Sequence, residues 1–222
     1  MLLAAIAAKR GCRPASGNLG WSTMPAIRYD AVLCDIDGVL RHWPGAGELE
    51  RANGLPLGAL AASAFAPARM DPAITGAITD EEWRAAIAGH LAETFGSVAR
   101  ADAAVAAWSA LVPRVDVDVV RLLAKVRSAV TIVLVTNATT RLEADLVSQG
   151  LDGVADLVVN SARVGIAKPD PRIFHIAAEL ADARLDRCLF IDDTQINVEA
   201  ARSIGMTAEH YRTIDDLRSA LA

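Results

Sequence analysis

Cysteine is scarce in this sequence, and the chain has neither a long apolar run nor a block of basic residues. The 222 residues include only three cysteines, Cys12, Cys34 and Cys188, and no Cys-x-x-Cys pair. An odd count without that spacing does not indicate a disulfide framework. Cys34 and Cys188 fall in apolar, strand-like runs, which predicts buried free thiols of the kind found in a reducing cytoplasm.

The dispersed basic residues and the short apolar runs limit the kinds of partner. The formal net charge is −5, which disfavours sequence-independent binding to nucleic acid or to an anionic membrane. A membrane span needs ~20 consecutive apolar residues, and the apolar run at the start of the chain is much shorter. We therefore expect a cytoplasmic monomer or homodimer with no nucleic acid and no membrane among its partners.

The first 27 residues show no structural period. The apolar start is followed by Lys9 and Arg10, whereas a signal peptide places its basic residues first. Residues 11–23 are rich in Gly, Ser, Pro and Asn. We expect residues 1–27 to form a poorly ordered extension, with Met24 as an alternative start of translation.

Apolar strands and amphipathic helices alternate over most of the remaining chain. Hydrophobic residues make up 53% of the sequence, enough for a full core. Strand-like runs lie near 28–37, 130–136, 155–160, 187–193 and 207–211, and helical runs near 116–128, 140–150, 171–181, 197–205 and 214–222. Such alternation predicts an α/β fold, a doubly wound parallel sheet of Rossmann-like type, built from residues 28–41 plus 113–222.

Residues 42–112 interrupt this alternation. They are rich in alanine at helical spacing and show no convincing strand. The run from Thr79 to Glu82 is typical of a capping box, and it predicts a helix that continues to about Phe95. The segment therefore predicts a helical cap inserted after the first strand.

Polar side chains follow four of the predicted core strands at the point where each strand ends. A single aspartate there usually forms a turn. The set is larger, however, and comprises Asp35, Asp37, Thr136, Asn137, Lys168, Asp192 and Asp193. Ligands of such folds bind beyond the carboxyl ends of the strands. Clustered acids repel one another unless a cation lies between them, so the pattern predicts a Mg²⁺ site for phosphoryl transfer.

The same residues resemble the four ordered motifs of the haloacid dehalogenase-like hydrolase superfamily. These motifs appear here as DIDGV from Asp35, VLVTN ending at Asn137, KPDP from Lys168, and FIDDTQIN with Asn197 at its end. The inserted helical segment resembles the small cap of the phosphoglycolate phosphatase and phosphomutase branch. The resemblance implies a Mg²⁺-dependent phosphatase acting on a small phosphorylated metabolite.

The resemblance also implies a role for each motif residue. Asp35 is expected to be the nucleophile that forms an aspartyl-phosphate, and Asp37 the general acid and then the general base. The expected metal ligands are the Asp35 carboxylate, the Asp37 backbone carbonyl and the Asp193 carboxylate. The remaining roles are phosphate binding by Thr136 and Asn137, charge screening by Lys168, and support of the site by Asp192 and Asn197.

Three alternatives to a phosphatase stay open at different strengths. Dehalogenase branches replace the second acid of the first motif, and because this chain keeps Asp37, phosphate ester chemistry is favoured. A sugar phosphomutase is a second reading, since Val39 after Asp-x-Asp-Gly also occurs in such relatives. A non-catalytic binding or regulatory protein is disfavoured by the intact motif residues.

Weaker candidates lie around the first strand and in the cap. His42 and Trp43 follow the first motif and could touch a ligand or line the hinge. Arg69 and Thr75 are the best polar candidates for reading a substrate, if the segment around 71–76 forms a loop between cap helices. Asp170 reads as a turn residue at a helix start.

Overall fold

A parallel five-stranded sheet forms the centre of the computed structural model, which describes residues 28–222. Its strands are β1 Ala31–Cys34, β4 Thr131–Thr136, β5 Leu157–Asn160, β6 Cys188–Asp192 and β7 Thr207–His210. The strand order is β5-β4-β1-β6-β7, with β1 in the middle. All four pairings are parallel. The predicted α/β fold class is therefore confirmed.

Helices cover both faces of this sheet. They are α6 Val117–Val126, α7 Leu142–Ser148, α8 Ser161–Val164, α9 Pro171–Leu180, α10 Gln195–Ser203 and α11 Ile214–Ala220. Side chains of a strand alternate between faces. Val32 and Cys34 of β1 accordingly pack with α6, α7 and α11, whereas Ala31 and Leu33 pack with α9 and α10. Two apolar layers thus fix the sheet, and the carboxyl ends of its strands share one edge.

Five helices within residues 47–109 form a separate cap with its own apolar cluster. They are α1 Gly47–Ala52, α2 Ala59–Ala64, α3 Pro67–Ile74, α4 Asp80–Phe95 and α5 Val98–Ser109. The predicted capping box is confirmed, because Thr79 and Glu82 bond reciprocally at the start of α4. Trp83 is buried in the cap cluster and lies against Trp108.

A two-stranded ribbon joins the cap to the core. It pairs β2 Arg41–His42 with β3 Arg114–Val115 in antiparallel fashion. The expectation that residues 42–112 contain no strand is therefore wrong at His42. A strand of two residues is too short to show an alternation of apolar and polar side chains. It forms here because it pairs with β3, a partner that the local sequence does not reveal.

A second correction concerns residues 71–76, which were expected to form a loop. Helix α3 extends through Pro72 to Ile74, and Thr75 caps it. Pro67 at the first turn favours this helix, because its fixed φ is already helical. An internal proline usually argues against a helix, which is why the sequence pattern was misleading.

Two further predictions concern the thiols and the membrane. Cys34 and Cys188 are buried and free, as expected. Cys12 and the predicted extension at residues 1–27 lie outside the described residues. Within residues 28–222, no helix combines the length and apolar character needed to cross a membrane.

Candidate active site

Three carboxylates meet at the carboxyl edge of the sheet. Asp35 directly follows β1, Asp192 ends β6, and Asp193 follows it. One oxygen from each of the three can lie within 4.8 Å of the others. Asp35 and Asp192 are buried, with exposed fractions of 7% and 0%. Three acids at this separation form an oxygen-rich site of the kind that suits Mg²⁺.

Lys168 is the buried cation of this group. Its Nζ donates to the Val135 carbonyl at 2.9 Å and to Asp192 Oδ2 at 2.6 Å, and it lies 2.9 Å from Asp35 Oδ1. Burial lowers the pKa of Lys168, but the attraction of Asp35 and Asp192 outweighs it and raises that pKa overall. The ammonium group is therefore charged and held in one place.

Burial has the opposite effect on the central acid. It raises the pKa of Asp35 to about 7 from an ordinary 3.8, although Lys168 opposes the shift. The Ile36 amide also donates to Asp35 Oδ1 at 2.8 Å. A cation beside Asp35 would favour its ionised form. The site is thus built so that a bound cation changes the charge state of this carboxylate.

Asp192 and Asp193 differ in how many acceptor positions remain. A carboxylate offers about four lone-pair positions. Asp192 accepts from Lys168, from the Thr194 amide at 2.8 Å, and from Asn197 Nδ2 at 3.1 Å on both oxygens. Asp193 accepts only the Thr194 hydroxyl, at 3.2 Å, within the described part of the chain. Asp193 therefore has room for a metal ion, whereas Asp192 is already saturated.

Gly38 lies directly against the Asp193 carboxylate. An added Cβ at Gly38 would lie 2.0 Å from Asp193 Oδ2, and the backbone there has φ +88°. That conformation also favours glycine. From the other side, His210 Nε2 donates to the Asp193 carbonyl at 2.9 Å. Neither contact was identified from the sequence, although the glycine stands inside the first motif.

Asn137 and Lys168 are joined through backbone groups 31 positions apart. Asn137 Nδ2 donates to the Lys168 carbonyl at 2.8 Å, and the Lys168 amide donates to Asn137 Oδ1 at 2.7 Å. Thr136 ends β4 beside them and is buried. The structure therefore brings Thr136 and Asn137 to the same edge as the acids, and the Asn137 side chain positions the loop that carries Lys168.

Asp37 points toward the hinge ribbon. Arg41 donates to it through Nε at 2.8 Å and Nη2 at 3.1 Å, and Trp43 Nε1 donates at 2.6 Å. The carboxylate of Asp37 is not a member of the three-acid group. Sequence reasoning weighed Trp43 as a hinge residue but missed Arg41, even though the spacing of four residues from Asp37 was visible.

The cap docks on the loop that follows β4. Thr139 Oγ1 donates to Asp80 Oδ1 at 2.7 Å, and the Asp80 amide donates to Thr140 Oγ1 at 3.0 Å. Arg141 donates to the Ser109 carbonyl at 3.2 Å. Asp80 is buried and also pairs with Arg84. The same loop carries Asn137, so cap docking and the candidate phosphate-binding residues share one segment.

Each of the weaker candidates contacts another group of the protein. Thr75 Oγ1 donates to the Asp71 carbonyl at 2.7 Å, and Arg69 Nε donates to the Ser63 carbonyl at 2.6 Å. His42 lies in β2, 3.8 Å from the Asp116 carboxylate. Asp170 caps α9, which confirms its role as a helix-start residue.

The chain is similar to a known protein family and to several named proteins. Residues 29–205 match the haloacid dehalogenase-like hydrolase family. The chain is 27% identical over 205 residues to acyl-CoA dehydrogenase family member 10 of Mus musculus, covering 86% of this chain and 18% of that protein. It is 36% identical over 75 residues to the GMP/IMP nucleotidase YrfG of Escherichia coli K12, covering 33% and 34% of the two chains.

A shorter match of 58 residues, 43% identical, is with phosphatase MT3486 of Mycobacterium tuberculosis; it covers 26% of this chain and 27% of that protein. The matched stretches thus span less than two thirds of each of these relatives. A HAD family enzyme of Bacteroides thetaiotaomicron, solved with magnesium and inorganic phosphate, superposes with a TM-score of 0.65 at 23% identity, covering 83% and 94% of the two chains. L-2-haloacid dehalogenase of Xanthobacter autotrophicus gives 0.60 at 18% identity, covering 86% and 81%. These two likenesses show the fold.

Proposed function

The chain belongs to the haloacid dehalogenase-like hydrolases, and on that premise we propose that it is a Mg²⁺-dependent phosphatase of small phosphate monoesters. The observation that carries the proposal is the group formed by Asp35, Asp192 and Asp193 around the buried Lys168. A site of this composition suits a hard cation and the oxygens of a transferring phosphoryl group.

The proposed metal ligands are the carboxylates of Asp35 and Asp193 and the backbone carbonyl of Asp37. Asp193 is preferred over Asp192 because its acceptor positions are largely free, whereas those of Asp192 are taken by Lys168, Thr194 and Asn197. When bound, Mg²⁺ would neutralise the clustered acids and the phosphate oxygens. Gly38 supports this assignment, because only a residue without Cβ leaves Asp193 in its place.

In the first step, Asp35 attacks the phosphorus of the ester. Oδ1 of Asp35 already accepts from Ile36 and Lys168, so Oδ2 is the attacking oxygen. The new bond is between Oδ2 and phosphorus, and the bond to the alcohol oxygen breaks. Asp37 gives its proton to that leaving oxygen. Thr136 and the Asn137 amide bind the phosphoryl oxygens, and Lys168 screens the charge between Asp35 and the phosphate.

In the second step, water attacks the phosphorus of the aspartyl-phosphate. Asp37, now ionised, takes a proton from the water as the new oxygen–phosphorus bond forms. The bond between phosphorus and Asp35 breaks, and the carboxylate is restored. Inorganic phosphate leaves, and Asp37 again carries the proton needed for the next cycle.

The named relatives favour phosphate esters over halogenated acids as substrates. One is a phosphatase and another a nucleotidase for GMP and IMP. The dehalogenase shares the fold at 18% identity, a level that supports only the architecture. Retention of Asp37, which a phosphatase uses for proton transfer, supports the phosphatase assignment.

A panel of phosphate monoesters tests the proposal. Release of inorganic phosphate should require Mg²⁺, stop on chelation, and be inhibited by Ca²⁺, whose larger and looser shell misplaces the nucleophile. Asp193→Asn should abolish turnover. The matched control is Asp186→Asn, because Asp186 is an exposed acid paired with Arg184 away from the site.

Three results would contradict the proposal. These are full activity after exhaustive chelation, near-normal turnover of the Asp193→Asn protein, and phosphoryl transfer between sugars without release of inorganic phosphate. The last result would identify a phosphomutase.

A further inference from the structure

The Asp37 carboxylate is bound by Arg41, whose side chain is fixed by further contacts. Arg41 is buried, with an exposed fraction of 4%, and its Nη1 donates to Gln149 Oε1 at 3.0 Å. Its guanidinium lies 5.1 Å from the centre of the Trp43 ring. Its backbone belongs to β2 of the hinge ribbon. These contacts fix the orientation of the Arg41 guanidinium. Its two parallel hydrogen bonds to Asp37 then fix the orientation of the Asp37 carboxylate.

The donors to Asp37 are distributed unequally between its two oxygens. Oδ1 accepts from Arg41 Nε and from Trp43 Nε1, whereas Oδ2 accepts only from Arg41 Nη2. Each carboxylate oxygen has about two lone-pair positions. Both positions of Oδ1 are therefore filled, and one position of Oδ2 stays open. The Asp37 side chain is 37% exposed, so a substrate oxygen or a water molecule can reach it.

We propose that Arg41 and Trp43 are positioning residues, which fix the Asp37 carboxylate so that Oδ2 transfers the proton in both steps. This inference rests on the proposed function, because it assigns an orientation to the general acid and base. Arg41 and Trp43 donate to the Asp37 carboxylate, whereas the metal ion would be held by the backbone carbonyl of Asp37. They act only through Asp37, and that restriction makes the inference testable.

A merely structural ion pair would behave differently. If Arg41 stabilised only the hinge, its removal would lower turnover by the same factor whether Asp37 is present or not. If it acts through Asp37, its removal has little further effect once Asp37 can no longer transfer a proton. Double-mutant cycles separate these two cases, because residues that act through one another are not additive.

The cycle combines Asp37→Asn with Trp43→Phe, and separately with Arg41→Gln. Trp43 is 43% exposed, and phenylalanine keeps an aromatic ring there but removes the donor. Trp43→Phe still tests the proposal if the Arg41→Gln protein fails to fold. Arg127→Gln is the control, since Arg127 forms a comparable pair with Asp156, 2.9 Å apart, outside the site. Turnover is measured below the melting temperature of every variant.

General acid–base catalysis contributes ~10²–10⁴-fold to a rate. Loss of positioning should remove part of this contribution, so we expect Trp43→Phe to lower kcat about tenfold and Arg41→Gln about 100-fold, with KM changed less than about threefold. In the Asp37→Asn background each should change kcat by less than about threefold. Arg127→Gln should leave kcat unchanged.

Two failures can be told apart. If the wild-type protein forms no phosphoenzyme and Asp35→Asn keeps its activity, the proposed function fails. If those controls behave as proposed but Trp43→Phe and Arg41→Gln lower kcat equally in both backgrounds, or have no effect in the wild-type background, only the positioning role is overturned.

Discussion

The ammonium group of Lys168 donates to Val135 and Asp192 and forms an ion pair with Asp35, and this arrangement explains how two buried acids coexist at one site. Asp35 and Asp192 lie on either side of it at 2.9 and 2.6 Å. Asn197 and the Thr194 amide complete the shell of Asp192. Asp35 has no comparable shell beyond Ile36 and Lys168 in residues 28–222. Of the two buried acids, Asp35 therefore has the less compensated charge.

One consequence at this scale is a pH-dependent stability. Burial raises the pKa of Asp35 to about 7 from 3.8, so the metal-free folded protein binds this proton more tightly than the unfolded chain. Stability is then highest below the unfolded pKa and is lost as pH rises toward the folded pKa. Asp35→Asn removes this loss. We expect its melting temperature in chelator to exceed that of wild type by several degrees at pH 8, since one kcal/mol corresponds to ~2–4 °C in a domain of this size.

The melting temperatures of both proteins between pH 4 and 8 provide the measurement. The advantage of Asp35→Asn should grow from about pH 4 to about pH 7 and then level off. Groups that titrate equally in the two proteins cancel in the difference. A lower melting temperature for Asp35→Asn at pH 8 would show that the Asp35 charge stabilises the metal-free fold.

Gly38 provides a second test at the residue scale. Alanine there would meet the Asp193 carboxylate at 2.0 Å and adopt φ +88°. Gly150→Ala is a matched control, because Gly150 has φ +67° with nothing within 4 Å of an added Cβ. Each variant should lose ~1–2 kcal/mol of stability from the left-handed backbone. Only Gly38→Ala should also lose Mg²⁺-dependent turnover. Equal turnover in the two variants would remove Asp193 from the proposed metal site.

Some features of the candidate site could be predicted from the sequence, and others could not. Asp35, Lys168 and Asp192 follow predicted strands, so their meeting at one edge follows from a parallel sheet. The bonds between Asn137 and Lys168 join groups 31 positions apart, which no local pattern records. The saturation of Asp192 was equally invisible, because it depends on where α10 places Asn197.

At the scale of elements, the start of α4 touches the loop that follows β4. Thr139 donates to Asp80 at 2.7 Å, two residues after Asn137. The capping box from Thr79 to Glu82 predicted the first residue of α4 correctly. It held no information about the docking partner, which lies 59 positions away. The two-residue strands β2 and β3 were missed for a similar reason.

This docking predicts an effect of the cap on substrate binding. Thr139→Val removes the hydroxyl donor to Asp80 and should weaken the contact by ~1 kcal/mol. We expect KM to rise severalfold with a smaller change in kcat, because the loop that carries Asn137 loses its support from the cap. Thr94→Val is the control. Thr94 lies in α4, as Asp80 does, but its hydroxyl donates to the His90 carbonyl of the same helix. An unchanged KM for Thr139→Val, or an equal rise for Thr94→Val, would argue against this coupling.

At the scale of the whole molecule, the apolar cluster of the cap is separate from the two apolar clusters of the core. The cap cluster includes Trp83 and Ile87, whereas the two core clusters flank the sheet. The ribbon of β2 and β3 and the polar docking residues connect the two parts. Asp35 and Lys168 lie in the core, while Asp37 points to the ribbon. The proposed proton-transfer residue is thus tied to the ribbon, and the proposed nucleophile is not.

The central claim is that Asp35 and Asp37 have different roles in one covalent mechanism. Rapid quenching of the Asp35→Asn and Asp37→Asn proteins with p-nitrophenyl phosphate, followed by intact-protein mass spectrometry, tests it directly. This leaving group hardly needs a proton, so Asp37→Asn should still form the phosphoenzyme but hydrolyse it slowly, and covalent phosphate should accumulate on Asp35. Asp35→Asn should carry none. Covalent phosphate on the Asp35→Asn protein, or near-wild-type turnover by it, would contradict the mechanism.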